Sequence, residues 1–374
     1  MKKFLSVILI ISSLLALSAC GGYYEPIKST DEEARVIMTL SFEDKTYEVR
    51  YELYRAMFLT YKATVDGGDG GVWSGEGSEE YVARVHELIV ERITDIYAAL
   101  HLCDKIGINL YSNAVEKEIK EYVKTGVEGG IYDGEAVGGY SSYEEYLEAL
   151  SKLGLNYSVQ ELVLRYAIAI DKITAYYAGE AGDEYFDSGL TGGAIEYTRE
   201  DVEDFYYSYD SVRYMLAFVQ SKYSGAYDRA LRLREKMLSA EGNDAAVATA
   251  IISSSISAGE DVMRGVVIGK YSLDEENYRD MTKAAFETNI GKVSEIVEVT
   301  AGKDPGYYIL YPVLKSEEHF EECYDEIAAV YVENEIGKLL YDVQTALTES
   351  ARGTELLDTL DYSKITYPKV AIEN

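Results

Sequence analysis

Cysteine is scarce. Cys20, Cys103 and Cys323 are the only three, which excludes a disulfide-built scaffold. Cys103 and Cys323 sit in apolar helical stretches, where a free thiol serves as a small core residue; outside the cell a bridge between them stays open. Basic charge is short as well: 35 Lys and Arg stand against 66 Asp and Glu, a formal net charge of −31. A chain this acidic is repelled by nucleic acid and by anionic lipid headgroups. Beyond residue 19 no apolar run reaches the roughly 20 residues of a membrane span. Nucleophile motifs, phosphate-cradling glycine loops and zinc spacings are missing too, and no metal or other cofactor is implied. Histidine is the most telling shortage. Only His86, His101 and His319 occur, and residues 212–315 hold none. His86, His101 and Cys103 share one helical region and read as core or solvent-facing groups, not as a metal site.

What is present begins with "MKKFLSVILIISSLLALSAC": two lysines, an apolar run too short for an ordinary span, then Leu-Ser-Ala-Cys. This reads as a secretory signal over residues 1–19. Its end resembles the bacterial lipobox, which implies cleavage before Cys20 and lipid attachment there. The plainer alternative is an ordinary signal peptide with an incidental cysteine. Residues 20–34 read as a tether, and the fourteen residues after Cys20 would reach roughly 46 Å when extended. With 47% apolar residues, the rest of the chain can bury a core.

Residues 35–50 read as two short strands around a Glu-Asp turn, followed by a helix over 51–64. The next helix, over 79–106, carries Val85, Leu88, Ile89, Ile93, Ile96 and Leu100 at helical spacing. Capping boxes then recur as Asn113 with Glu116, Ser141 with Glu144, Ser158 with Glu161, and Thr198 with Asp201. Glycine-rich loops interrupt at 66–78 and 179–197. Asp66 and Asp69 suggest calcium, but the full loop spacing is absent. After the second loop the pattern changes: a buried strand over 212–220, helices at Ala226–Ser239 and Asp244–Ser254, a helix ending at Phe286, and a closing hairpin. This makes an α+β domain of about a hundred residues. Residues 317–350 form a long helical pattern whose apolar face needs a partner.

The order "VRYMLAFVQ" (212–220), "RGVVIG" (264–269), "AAFETNIGKVSEIVEV" (284–299) and "GYYILYPV" (306–313) resembles a parvulin-type prolyl isomerase domain. The preceding helices, including "LCDKIGINLYSNAVEKEIKEY" and "TREDVEDFYYSY", resemble the chaperone domain of SurA/PrsA-type foldases. The resemblance implies an α+β fold. A multi-helix chaperone domain over 35–205 is completed by 316–350, a parvulin-like domain is inserted at 212–315, and 351–374 is left as a tail. It also implies that 317–350 packs on the helices between 79 and 176.

Parvulin domains carry two facing histidines beside an acid or cysteine. Here those positions fall on Leu216, on Tyr308, and near Gly259 with Glu260 and Asp261 adjacent. The proline pocket falls on Asn277, Met281 and Phe286, of which only Phe286 is kept in kind; Ser255 and Ser257 are further hydroxyls nearby. The foldase resemblance implies unfolded or newly exported polypeptides as partners; the lipobox implies a lipid anchor at Cys20 on the extracytoplasmic membrane face, and the acidic charge speaks against nucleic acid. Three readings follow: a folding factor with a weak or inactive isomerase domain, an active prolyl isomerase with an atypical site, or a ligand-binding or assembly lipoprotein on this scaffold. The surplus of tyrosine, 36 against 8 phenylalanines, suits both loose peptide contact and half-buried packing.

Overall fold

The register of apolar residues along the two longest helices sets where the core lies. The computed structural model describes residues 23–132, 135–179, 193–254, 262–273, 279–300 and 304–370. They form an α+β fold of two units. Among the described residues, a helical unit takes 23–173 and 339–370, and a sheet unit takes 174–179 and 193–338.

The helical unit opens with β1 (Val36–Phe42) and β2 (Lys45–Arg50), then α1 (Tyr51–Asp66), α2 (Ser78–Lys105), α3 (Asn113–Glu128), β3 (Gly130–Tyr132), β4 (Glu135–Val137), α4 (Tyr143–Lys152) and α5 (Tyr157–Tyr177). Val85, Ile89, Ile93 and Ile96 of α2 recur every three or four residues and are fully buried with Leu53, Tyr54 and Phe58 of α1. Burying each such side chain contributes about 1.5–3 kcal/mol before the entropy cost of ordering it. Helix starts shift from the expected capping boxes. Ser112 caps α3 and Ser142 caps α4, while Asn156 Oδ1 accepts the Val159 N–H at 2.9 Å. Ser158 instead donates to Glu52 at 3.0 Å. Only the Thr198–Asp201 box forms as expected.

Residues 23–34, expected as a free tether, lie on the helical unit. Glu33 pairs with buried Arg55 at 2.7 Å, Ser29 donates to buried Glu52, and Tyr23 donates to Glu121 at 2.7 Å. Tyr24 stacks on Tyr143 with ring centres 4.8 Å apart. Fixed partners for both carboxylates explain why the segment is not loose.

The sheet unit contains α6 (Arg199–Tyr207), β5 (Ser211–Gln220), α7 (Ala226–Ser239), α8 (Asp244–Ile252), β6 (Val266–Gly269), α9 (Arg279–Glu287), β7 (Val297–Val299) and β8 (Gly306–Pro312). Its four strands are antiparallel in the order β6-β5-β8-β7, with Leu216 opposite Leu310 and Phe218 opposite Tyr308. Alternation assigns the faces. Met215, Ala217, Val219, Ile309 and Tyr311 meet α7 and α8, and the residues between them form the opposite face.

The long C-terminal pattern breaks at Cys323 into α10 (Glu317–Glu322) and α11 (Tyr324–Ser350). Residues 317–338, expected on the helices between 79 and 176, belong to the sheet unit. Phe320, Cys323 and Ile327 bury against Val202, Phe205 and Tyr206 of α6, a nearer apolar partner than the expected one. Here α11 needs Gly337, since a Cβ at that position would fall 1.6 Å from the Tyr271 carbonyl oxygen. From Leu339 on, α11 belongs to the helical unit, where Thr348 Oγ1 meets Thr94 Oγ1 at 3.0 Å.

Residues 351–370 are no loose tail either. β9 (Arg352–Gly353) pairs with β1, α12 (Glu355–Asp358) follows, and Tyr362 and Ile365 enter the core of the helical unit. Cys103 and Cys323 are both buried free thiols in different units.

Candidate functional site

The second face of the four-stranded sheet gathers four of the residues marked by the sequence. Leu216 projects from β5 and Tyr308 from β8, while Met281 and Phe286 come from α9; Tyr214, Phe218, Ile268, Ala285, Val299 and Leu310 are the other buried members of the cluster. Period-two spacing on the strands and the Met281–Ala285 step on the helix bring them together. Met281 and Tyr308 are buried, whereas Leu216 and Phe286 are half-buried and present an apolar surface. Asn277, Gly259, Glu260, Asp261, Ser255 and Ser257 lie outside the described residues, as does Cys20.

Tyr308 is held on both its apolar and its polar side. Its ring stacks on Phe218 with centres 4.6 Å apart and planes at 28°, and its hydroxyl donates to the Asp304 carbonyl at 2.5 Å. The phenol is therefore a packed strand residue anchoring the turn before β8. Phe218 was not marked as a site residue, though its place two positions after Leu216 on one strand puts it on the same face. Ser294 was also missed. Its Oγ accepts the Leu310 N–H at 2.9 Å, and its own N–H donates to the Leu310 carbonyl at 2.9 Å, so the Gly-Lys-Val-Ser turn is stitched to β8.

None of the three histidines belongs to this face. Each takes a tyrosine hydroxyl at Nδ1: His86 with Tyr54 at 2.9 Å, His101 with Tyr47 at 2.8 Å, and His319 with Tyr206 at 3.0 Å. Tyrosine fills core positions in the same way elsewhere. Buried Tyr311 donates to the Asp244 carboxylate at 3.0 Å, and buried Tyr146 accepts from Gln160. Tyr111, Tyr209 and Tyr367 are exposed, so the surplus serves packing and surface alike. Among the described residues no three His, Cys, Asp or Glu side chains lie close enough to hold a metal ion, and no helix is long and apolar enough to cross a membrane.

The histidines, His101 and His319 buried and His86 half-buried, set a pH dependence. Burial lowers the pKa of all three, and for His319 burial together with Arg213 and Arg264 brings it to about 4. Unfolded, each titrates near 6.5. Between those values the unfolded chain takes up protons that the folded chain refuses, so stability rises with pH across that window and is lost on acidification. Thermal unfolding at a series of pH values should show the midpoint falling from pH 6.5 toward 4. A His319→Gln chain should show a shallower fall.

No protein-family model matches the sequence, and no curated protein sequence matches it. Solved structures of the foldase PrsA are similar to it. The foldase protein PrsA from Streptococcus pneumoniae is 12% identical, with a TM-score of 0.24 over 83% of this chain and 92% of that one. The foldase protein from Lactococcus lactis is 16% identical, with a TM-score of 0.23 over 89% and 99%. PrsA from Bacillus subtilis is 15% identical, with a TM-score of 0.22 over 85% and 93%. Likenesses at this level carry no residue role across.

Proposed function

We propose that the chain is an extracytoplasmic folding factor, lipid-anchored at Cys20, that holds unfolded exported polypeptides through apolar surface and does not catalyse prolyl isomerisation. One observation carries the non-catalytic part. Leu216 and Tyr308 occupy the positions that the parvulin resemblance gives to paired imidazoles, and the Tyr308 hydroxyl is engaged by the Asp304 carbonyl.

Rotation about an X-Pro bond faces a barrier of roughly 20 kcal/mol, set by amide resonance. A catalyst must favour the twisted amide through a preorganised polar network. Among the described residues, the face around Leu216 offers apolar contact, with the Tyr308 hydroxyl already bound to a backbone carbonyl. Half-buried Leu216, Ala284, Phe286 and Val297 still suit an apolar client side chain. The net charge of −31 favours neutral or basic clients and makes their capture salt-sensitive.

The test pairs a protease-coupled isomerisation assay with an aggregation-suppression assay on one sample. We expect suppression of aggregation with an isomerisation rate close to the uncatalysed one, and Tyr308→Phe should leave suppression intact. Robust catalysis that disappears on changing Tyr308 or Phe286 would establish the active-isomerase reading instead. Cys20→Ala should release the protein from the membrane fraction or leave an uncleaved precursor; unchanged fractionation would count against the lipid anchor.

A further inference from the structure

Within the helical unit, a cleft of about 640 Å³ opens between the start of α2 and residues 357–362. Its size is that of a binding site for a few side chains. Val82, Leu357 and Leu360 give it apolar walls. Trp73 and Tyr362 form the floor, stacked with ring centres 6.5 Å apart and planes at 23°. The floor is braced from below: Trp73 Nε1 donates to buried Asp66 at 2.7 Å, and the Tyr362 hydroxyl meets that of Tyr54 at 2.7 Å. Tyr54 in turn holds His86, which lines one side.

The net charge at the mouth is negative. Glu79, Asp358 and Asp361 are exposed there, and the lining includes no lysine or arginine. Lys364 engages Asp361 at 2.7 Å from outside the lining. Three carboxylates against one lysine disfavour an anionic ligand, and among the described residues no cluster fit for a metal ion occurs. A cationic group on an apolar stem fits both features, with its methylenes against the walls and its charge at the carboxylates. Lysine and arginine side chains of an extended chain have that form.

We propose that this cleft binds a lysine- or arginine-bearing segment of unfolded polypeptide, and so selects clients by charge at a site apart from the sheet face. The proposal rests on the polypeptide-binding function above and names a second site for it. Trp73 is the only tryptophan in the chain, which makes it a built-in reporter.

The experiment titrates the full chain with an unstructured lysine-containing peptide and with its glutamate counterpart of equal length, following Trp73 emission and peptide anisotropy together. The lysine peptide should shift the emission saturably and the glutamate peptide should not. Glu79→Lys combined with Asp358→Lys should weaken binding about tenfold, equivalent to 1.4 kcal/mol. The same charge change placed in the sheet unit, at exposed Glu235 and Glu322, should leave it unchanged. Anisotropy reporting binding while Trp73 stays silent, or equal weakening by both charge variants, would overturn the cleft assignment and leave the folding-factor reading standing. Failure to bind any unfolded chain would overturn that reading as well.

Discussion

Arg165→Met should destabilise the helical unit by about 3 kcal/mol, the low end of the cost of removing one partner from a buried ionic network. Arg165 is buried on α5 and donates to the Leu110 carbonyl, to Glu116 of α3 and to Glu161 one turn away. Its guanidinium also lies over the Tyr111 ring, 4.5 Å from the centroid. The substitution leaves two half-buried carboxylates without their cation and a carbonyl without its donor. Arg165→Lys should recover little, because an ammonium cannot serve three acceptors in the plane that a guanidinium spans. Thermal unfolding should show a midpoint lowered by roughly 6–12 °C, with amide exchange faster in α3 and α5. A loss below about 1 kcal/mol would show the network to be a surface ion pair in energetic terms.

Tyr362→Ala should cost about 3–5 kcal/mol, the usual range for emptying a buried aromatic site. Tyr362 contacts Trp73, and its ring centre lies 5.5 Å from that of Phe58. Its hydroxyl also completes the chain through Tyr54 to His86. Tyr362→Phe separates these contributions: keeping the ring and losing one hydroxyl should cost about 1 kcal/mol. Ending the chain at Ser350 removes β9 and Tyr362 together and should damage the unit at least as much as the alanine change. Urea titration of the three variants provides the ranking. Equal stability of Tyr362→Ala and the unaltered chain would mean that residues 351–370 are peripheral.

That segment shows where a sequence stops being readable. The partners of Tyr362 are three hundred positions away in the chain, and β9 is two residues long. No local period marks either one. Local signals fared better where one periodicity acts alone. Leu216, Phe218 and Tyr308 follow strand alternation, Met281 and Ala285 follow helical spacing, and the two patterns converge on one face. Helix caps were legible only to within a residue or two. Ser112 stands beside Asn113, and Ser141 beside Ser142, so each start offered two competent side chains. The winner is the one whose backbone is extended when its oxygen faces the first free N–H. The missing imidazoles were visible from composition. That the Tyr308 hydroxyl is taken up by a carbonyl was not, because it depends on the turn at Asp304.

The docked segment at residues 23–34 changes the mechanics of the proposed anchor. Only Gly21 and Gly22 separate Cys20 from Tyr23, a contour of about 10 Å, against the roughly 46 Å of a free tether. A lipid on Cys20 would then act as a short mount in place of a long leash. Such a mount would confine the helical unit to a thin layer over the bilayer and raise its effective concentration for any client chain there, since that quantity falls steeply as a linker lengthens. Arg55 and Glu52, which clamp the segment through Glu33 and Ser29, would in that setting tune how far from the membrane the protein works.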